Sequence, residues 1–357
     1  MNGVDILKKI IAAIALTMLL FTGCNNLSSD KESIKEEDNS IVEVQNEAEA
    51  EVKSLTTDQL SEFSVDESGE VMVLMYHNIG DEEAEWTRTP QNFRKDLEVL
   101  YEKGFRTISL EEYSTGEIDT EAGFTPVVLT FDDGNENNFR YVENNGEKMI
   151  DPQCALGVLE EFKKDYPDFN TTATFFLNSS VFGNSEDAKQ KLAFLIENGY
   201  SVGNHTQNHF NLKTADALAI QREISSLKKM HEATYPEMDI NTLALPFGAK
   251  PPAELYNLTY EGSFEGMSYD NIAVLLVGWD PYLSPYNKDF DFSNIRRVRA
   301  SETNVDGVGL YDWLSAYEKG SKHRYISDGD ASTIAIPSSK TDLIDVEKFN
   351  DKTLIEY

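Results

Sequence analysis

The sequence predicts an α/β domain built of parallel strand–helix units and preceded by an export segment and an unstructured tether. Three observations lead there. Pro126 to Gly134 reads P-V-V-L-T-F-D-D-G, where Val127 to Phe131 is an apolar and β-branched run closed by a glycine, the pattern of a strand buried on both faces. Similar short runs alternate with helical patterns along the rest of the chain, which is the spacing of β/α units. The first 70 residues instead hold one apolar run and then a long acidic, polar stretch.

Residues 1–24 open with Lys8 and Lys9, run apolar from Ile10 to Phe21 and close with Thr22, Gly23 and Cys24. The run is too short to span a bilayer comfortably and too apolar for a surface helix, so it reads as an export signal. F-T-G-C resembles a bacterial lipobox, with Phe21 where Leu is more usual. That implies cleavage before Cys24, a lipid on its sulfur and an extracytoplasmic, membrane-anchored location. Cys154, the other of the two cysteines, then has no partner, so no internal disulfide is expected. With Leu156, Val158 and Leu159 it forms a helical apolar pattern and reads as a small core residue.

Residues 25–70 are rich in Glu, Asp, Ser and Asn; they bury too little apolar surface to fold and read as a disordered acidic tether. The formal charge of -32 becomes -33 once Asp5, Lys8 and Lys9 are removed with the signal. Such a chain is a poor partner for nucleic acid or any polyanion, and no protein partner is indicated.

The folded region is expected over 71–357 as one domain, since no second linker divides it. Val71 to Tyr76 reads as a buried strand with His77 at its exit. Phe93 to Gly104 reads as a helix with its stop, and Arg106 to Leu110 as a second strand. After the Asp-Asp strand come a helix over Ala155 to Lys164, a strand over Ala173 to Asn178, a helix over Ala188 to Asn198 and a strand over Ser201 to Gly203. Leu218 to Tyr235 is a further helix and Thr242 to Leu245 a further strand. There is no repeat at solenoid periods.

Two groups of residues carry chemistry. Asp132 and Asp133 stand at the mouth of the central strand, where alternation sends them in different directions, so one is free to bind a metal and the other to take a proton. His205 and His209 in N-H-T-Q-N-H would share one face of a helix at i, i+4 spacing. With Asp133 they make a mixed oxygen and nitrogen set of three ligands, which leaves positions for water and substrate. T-F-D-D-G followed by H-T-x-x-H resembles the polysaccharide deacetylases, the chitooligosaccharide-deacetylase-like carbohydrate esterases of the NodB-homology type, from about residue 71 to about residue 300.

The resemblance implies a distorted, incomplete (β/α) barrel with the site at the strands' C-terminal ends. It implies Asp132 as general base, and Asp133, His205 and His209 as ligands of a divalent metal, Zn first with Co or Mn as alternatives. The substrate implied is an acetylated polysaccharide of the cell envelope or exterior, losing the N-acetyl of a hexosamine by hydrolysis. The family's Arg-x-Pro-aromatic-Gly motif reads here A-L-P-F-G. Pro246, Phe247 and Gly248 match, but Ala244 replaces the arginine that would orient the base; Lys250, Arg296, Arg297 and Arg299 are the candidate substitutes.

V-G-W-D-P matches a further motif, with Trp279 as a wall of the acetyl pocket beside Pro246 and Phe247, and Asp280 as a holder of the acid histidine. The family's late Leu-x-His is missing: the late strand T-I-A-I-P carries no histidine. His231 falls in a polar helix and reads as solvent-facing, and His323 in a charged segment. The deacetylases of poly-N-acetylglucosamine carry a similar M-Y-H-x-I segment in which that histidine is the acid, so the acid role goes to His77, on a first strand that can lie beside the last. The alternative to an active enzyme is a glycan-binding protein on the same fold with weakened catalysis, motivated by Ala244 and the missing terminal histidine.

Overall fold

The computed structural model describes residues 55–183 and 186–357. The signal segment with Cys24 and the first thirty residues of the expected tether lie outside the described residues.

Folding begins earlier than the tether boundary at residue 70. Helix α1, Thr57–Phe63, starts on a capping box in which Thr56 and Gln59 satisfy each other's backbone N–H, an arrangement that closes two otherwise orphaned donors. Leu60 and Val65 are buried beside Ala335, with Ile355 and Tyr357 packed around them. Composition misled here because a few well-placed apolar residues docking on a distant strand suffice to order a short polar segment.

The central sheet has eight strands. They are β1 (Met72–Tyr76), β2 (Phe105–Thr107), β3 (Thr125–Phe131), β4 (Thr174–Leu177), β5 (Ser201–Asn204), β6 (Thr242–Ala244), β7 (Ala273–Leu275) and β8 (Val298–Arg299). The order is β7-β6-β5-β4-β3-β1-β8, with β2 paired to the start of β3, and every pairing is parallel. A single parallel bridge from Leu275 to Ile295 reaches back toward the other edge. The result is a parallel, incompletely closed barrel, the architecture that the resemblance implies. The first strand does lie beside a late one, but that strand is β8. T-I-A-I-P forms strand β9, Thr333–Ile336, which pairs only with β10, Thr353–Glu356, outside the barrel.

Around the sheet run α2 (Pro90–Glu102), α3 (Leu110–Thr115), α4 (Ala155–Asp165), α5 (Ala188–Glu197), α6 (Ala217–Thr234) and α7 (Leu310–Glu318). The expected strand over Arg106 to Leu110 is cut short at Thr107. Ser109 there caps α3 in a reciprocal box with Glu112, a local hydrogen-bond pattern that outcompetes strand propensity. Cys154 is fully buried and its sulfur caps α4 through the Gly157 N–H.

Alternation along the strands divides the core in two. Met72, Leu74 and Tyr76 of β1 and Val127, Leu129 and Phe131 of β3 pack with the helices. Val73 and Val128 face inward with Phe176, Ala244 and Leu275. Continuing the inward parity past the strand ends gives His77 on β1 and Thr130 and Asp132 on β3, and the register Tyr76 with Phe131 sets the two ends level. His77 and Asp132 thereby enter the mouth of the barrel together.

If α1 is a folded part of the domain, Leu60→Ala should cost roughly 2–5 kcal/mol, as other buried leucine truncations do, measured by denaturant unfolding. A change within about half a kilocalorie, typical of an exposed segment, would return residues 55–70 to tether.

Candidate active site

Asp132 leaves β3 at its C-terminal end, its N–H bonded to the Tyr76 carbonyl at 3.0 Å, and it is 2% exposed. Its partner is Arg297, just ahead of β8 and completely buried. The guanidinium donates to both carboxylate oxygens at 2.7 Å, to Thr130 Oγ1 at 3.1 Å and to the Leu276 carbonyl at 3.0 Å. A two-pronged pair of this kind is the geometry for which arginine, and not lysine, is suited. Burial would raise the Asp132 carboxyl, but Arg297 outweighs it, with His205 and His77 adding to the effect, and the acid lies below its ordinary value.

Of the four candidate cations for the place of Ala244, Arg297 alone reaches Asp132. Lys250 binds Asn294, Arg296 pairs with Asp280, and Arg299 pairs with Glu85 and lies over Trp86. Asp280 is therefore not the holder of a histidine. Ala244 contributes otherwise: its carbonyl is bonded to His205 Nδ1 at 2.8 Å.

Asp133 has left the strand, with φ at +75°, and Gly134 turns the chain where a side chain would strike Leu177 and the Ser180 carbonyl. The turn swings Asp133 away from the inward parity of Asp132 and aims it at the histidines. His205 Nε2 lies 3.4 Å and His209 Nε2 3.3 Å from the same atom, Asp133 Oδ1. The two histidines are not on a helix. Residues 205–209 form a turn after β5 in which Thr206 and His209 have positive φ, +58° and +49°. The i, i+4 spacing is met by a strained loop whose two rings still come to 4.9 Å.

These three atoms fit a metal ion. With Nδ1–H of His205 directed at the Ala244 carbonyl, Nε2 presents a lone pair to a carboxylate oxygen, two acceptors that repel unless a cation stands between them. A tetrahedral ion with bonds near 2.0–2.1 Å puts its ligands about 3.3 Å apart, matching the two separations above. Among the described residues, this is the one group of three side chains close enough to hold an ion. Burial raises the Asp133 carboxyl, but the neighbouring His205 and His209 overcome that and carry it well below the ordinary carboxylate range.

His77 stands beside Asp132, its Nε2 3.9 Å from Oδ2. Trp86 packs its ring 4.7 Å away, and the His77 carbonyl accepts from Asn138 at 2.6 Å. Burial lowers its pKa, and the Asp132 and Asp133 carboxylates only partly restore it. His323 is exposed, and its backbone carbonyl bonds Glu70 far from the cleft, at the start of β1.

Phe247, with φ at +60°, is 65% exposed beside His209 at a ring distance of 4.6 Å, while Pro246 behind it is buried. Trp279 is 61% exposed, and its carbonyl accepts from Trp313. His231 is buried, not solvent-facing: its Nε2 meets the Asn178 carbonyl at 2.8 Å, and the Asn178 amide donates to the Asp133 carbonyl at 2.8 Å. Trp86 and Asn178 were not signalled by the sequence, because neither belongs to a spaced motif.

Residues 119–259 match the family model described as polysaccharide deacetylase. That stretch of the chain is therefore similar to a polysaccharide deacetylase domain. The matched stretch contains Asp132, Asp133, His205 and His209 but neither His77 nor Arg297. A Bacillus subtilis protein named as a polysaccharide deacetylase, YxkH, is 24% identical over 163 residues, 45% of this chain and 50% of that protein. The chain thus spans about half the length of this curated relative. Among solved structures, BC0361, a polysaccharide deacetylase from Bacillus cereus, is 21% identical with a TM-score of 0.51, over 70% of this chain and 69% of that one, a likeness of fold. The Streptococcus pyogenes deacetylase PplD in complex with acetate gives 17% identity and a TM-score of 0.49 over 70% of this chain and 98% of its own.

Arg297→Met should remove the cation that keeps the buried Asp132 ionised. In the wild type the depressed pKa contributes stability that is complete above the unfolded value, about 3.9, and is lost as pH falls through the folded value. In the variant the pKa rises, so the acid limb of kcat/KM moves to higher pH, and stability at neutral pH falls by about 3–5 kcal/mol. An unmoved acid limb with wild-type turnover would remove Arg297 from its role.

Proposed function

We propose that this domain is a metal-dependent hydrolase that removes acetyl groups, in the first place the N-acetyl of a hexosamine, from a cell-envelope or extracellular polysaccharide. The observation that carries the proposal is a buried aspartate kept ionised by Arg297 next to a three-ligand metal set. A protein that only bound glycan would need no buried, charge-compensated base there. The binding-only alternative rested on Ala244 and the missing terminal histidine; Arg297, just ahead of β8, supplies the cation that Ala244 lacks.

Asp133 Oδ1, His205 Nε2 and His209 Nε2 would hold the ion, Zn before Co or Mn. When bound, the metal polarises the acetyl carbonyl and lowers the pKa of water. Asp132, charged and oriented by Arg297, accepts the proton of the attacking water through the lone pairs that Arg297 leaves free. The departing nitrogen needs a proton, because an amide anion is a far worse leaving group than an amine. His77 delivers it from Nε2, and burial, by weakening the ring as a base, makes its protonated form a stronger acid. Phe247 and Trp279, both exposed apolar rings, give a sugar flat surfaces to rest on, and Pro246 backs the first of them.

Acetate release from chitooligosaccharide, peptidoglycan and acetylated xylan, with and without chelator, tests the whole reading. Activity should be lost with chelator and return with added Zn. His205→Ala or His209→Ala should lose the metal. Asp132→Asn should keep it while turnover drops by roughly a hundredfold or more. His77→Ala should keep it too and lose N-acetyl hydrolysis more than aryl-acetate hydrolysis, whose leaving group needs no proton. Chelator-insensitive acetate release, or wild-type turnover in Asp132→Asn, would overturn the mechanism.

The pattern of residues 8–24 supports a further part of the proposal, that the enzyme is exported and tied to the cell membrane by a lipid on Cys24. Cys24→Ala should move the protein from the membrane fraction to the soluble one. Undiminished membrane retention would exclude the anchor.

A further inference from the structure

The two histidine ligands sit on backbone that is unfavourable by itself. Thr206 is β-branched and His209 is not glycine, yet both have positive φ, a conformation that persists only where surrounding contacts over-determine it. Some are local, from the Thr206 N–H to Asn204 Oδ1, from the Phe210 N–H to the Thr206 hydroxyl and from the Ser179 N–H to the Gln207 carbonyl; the others come from one place on α6. The Glu223 carboxylate, 3% exposed, accepts from the Asn208 N–H at 3.0 Å and from the Asn208 side-chain amide at 2.9 and 3.2 Å. Its own carbonyl accepts from the Gln207 N–H at 3.0 Å, and the next carbonyl, of Ile224, accepts from the Asn204 amide at 2.9 Å. Among the described residues, all of the carboxylate's hydrogen bonds go to Asn208, the residue directly before His209.

A buried carboxylate bonded only to neutral amides is costly, and a hydrophobic residue would pack α6 against the sheet at no such cost. Its placement makes sense if it grips a strained loop from outside and adds negative potential to a site that receives a cation. The same helix reaches the third ligand through His231, Asn178 and the Asp133 carbonyl.

We propose that Glu223 is a positioning residue for the metal site: it locks the turn that carries His205 and His209, so that their Nε2 atoms converge on Asp133 before any ion arrives. The inference rests on the proposed ligand set and goes beyond it, because Glu223 touches neither metal nor substrate. Outer partners of this kind typically tune metal affinity by about 10- to 100-fold.

The test is metal binding by the full chain, with Zn titrated in competition with a chromophoric chelator and the d–d spectrum recorded for the Co-loaded protein. Glu223→Gln keeps the shape but loses the charge and turns an NH2 toward the Asn208 donors. It should weaken Zn binding by about 10- to 100-fold and alter the Co spectrum. Asn208→Ala, at an exposed position with little effect on folding, should shift both in the same direction by a smaller amount. Ile220→Val, a mild core truncation on the same helix, reports what simple loosening of α6 does and should leave both unchanged. Wild-type affinity in Glu223→Gln and Asn208→Ala overturns the proposal, as does an equal loss in Ile220→Val. Absence of Zn binding by the wild-type chain overturns the ligand set along with it, so the two failures are told apart.

Discussion

A guanidinium and a carboxylate buried against each other inside the barrel condition most of what surrounds them. Neither Asp132 nor Arg297 could lie at that depth alone, since an unpaired buried charge costs several kilocalories per mole. Together they satisfy one another and recruit the Thr130 hydroxyl and the Leu276 carbonyl. The pair ties the central strand to the segment that approaches both edges of the sheet, through Ile295 on one side and Val298 on the other. It also sets the electrostatics of the mouth, because it keeps a charged carboxylate next to His77 and one residue before Asp133.

The rest of the site is assembled from backbone that ordinary residues avoid. Asp133, Thr206, His209 and Phe247 all have positive φ, and each such residue costs of order 1–3 kcal/mol. A fully buried parallel sheet can hold these turns because its strands have no freedom to relax toward them. Asp133 is then held at a strand end, and His205 and His209 on a turn tied to α6, which suits a site where tenths of an ångström matter.

Much of this was legible in the sequence, and the parts that were not share a cause. The β3 run and the two motifs were readable because they are local: a buried strand, a turn glycine and spaced ligands lie within a few residues of one another. Period alone could not distinguish a helix from a turn at residues 205–209, since i, i+4 contact is available to both. His231 looked exposed because the polarity of its helix says nothing about a single buried carbonyl waiting at Asn178. Arg297 appeared only as one of four cations, because a bidentate contact made across 165 positions leaves no spacing to read. The ordering of residues 57–63 was hidden for the same reason, its partners being strands near residues 335 and 355.

The family match ends at residue 259 and starts at 119, while Arg297, the countercharge of Asp132, and the neighbouring His77 come from outside those limits. The fragment that looks like a portable module is therefore not one. Grafted into another barrel, residues 119–259 would bring the three ligands but leave Asp132 without its countercharge and without His77. An exchangeable unit has to reach at least from β1 to β8, and any chimaera cut from this chain has to keep both.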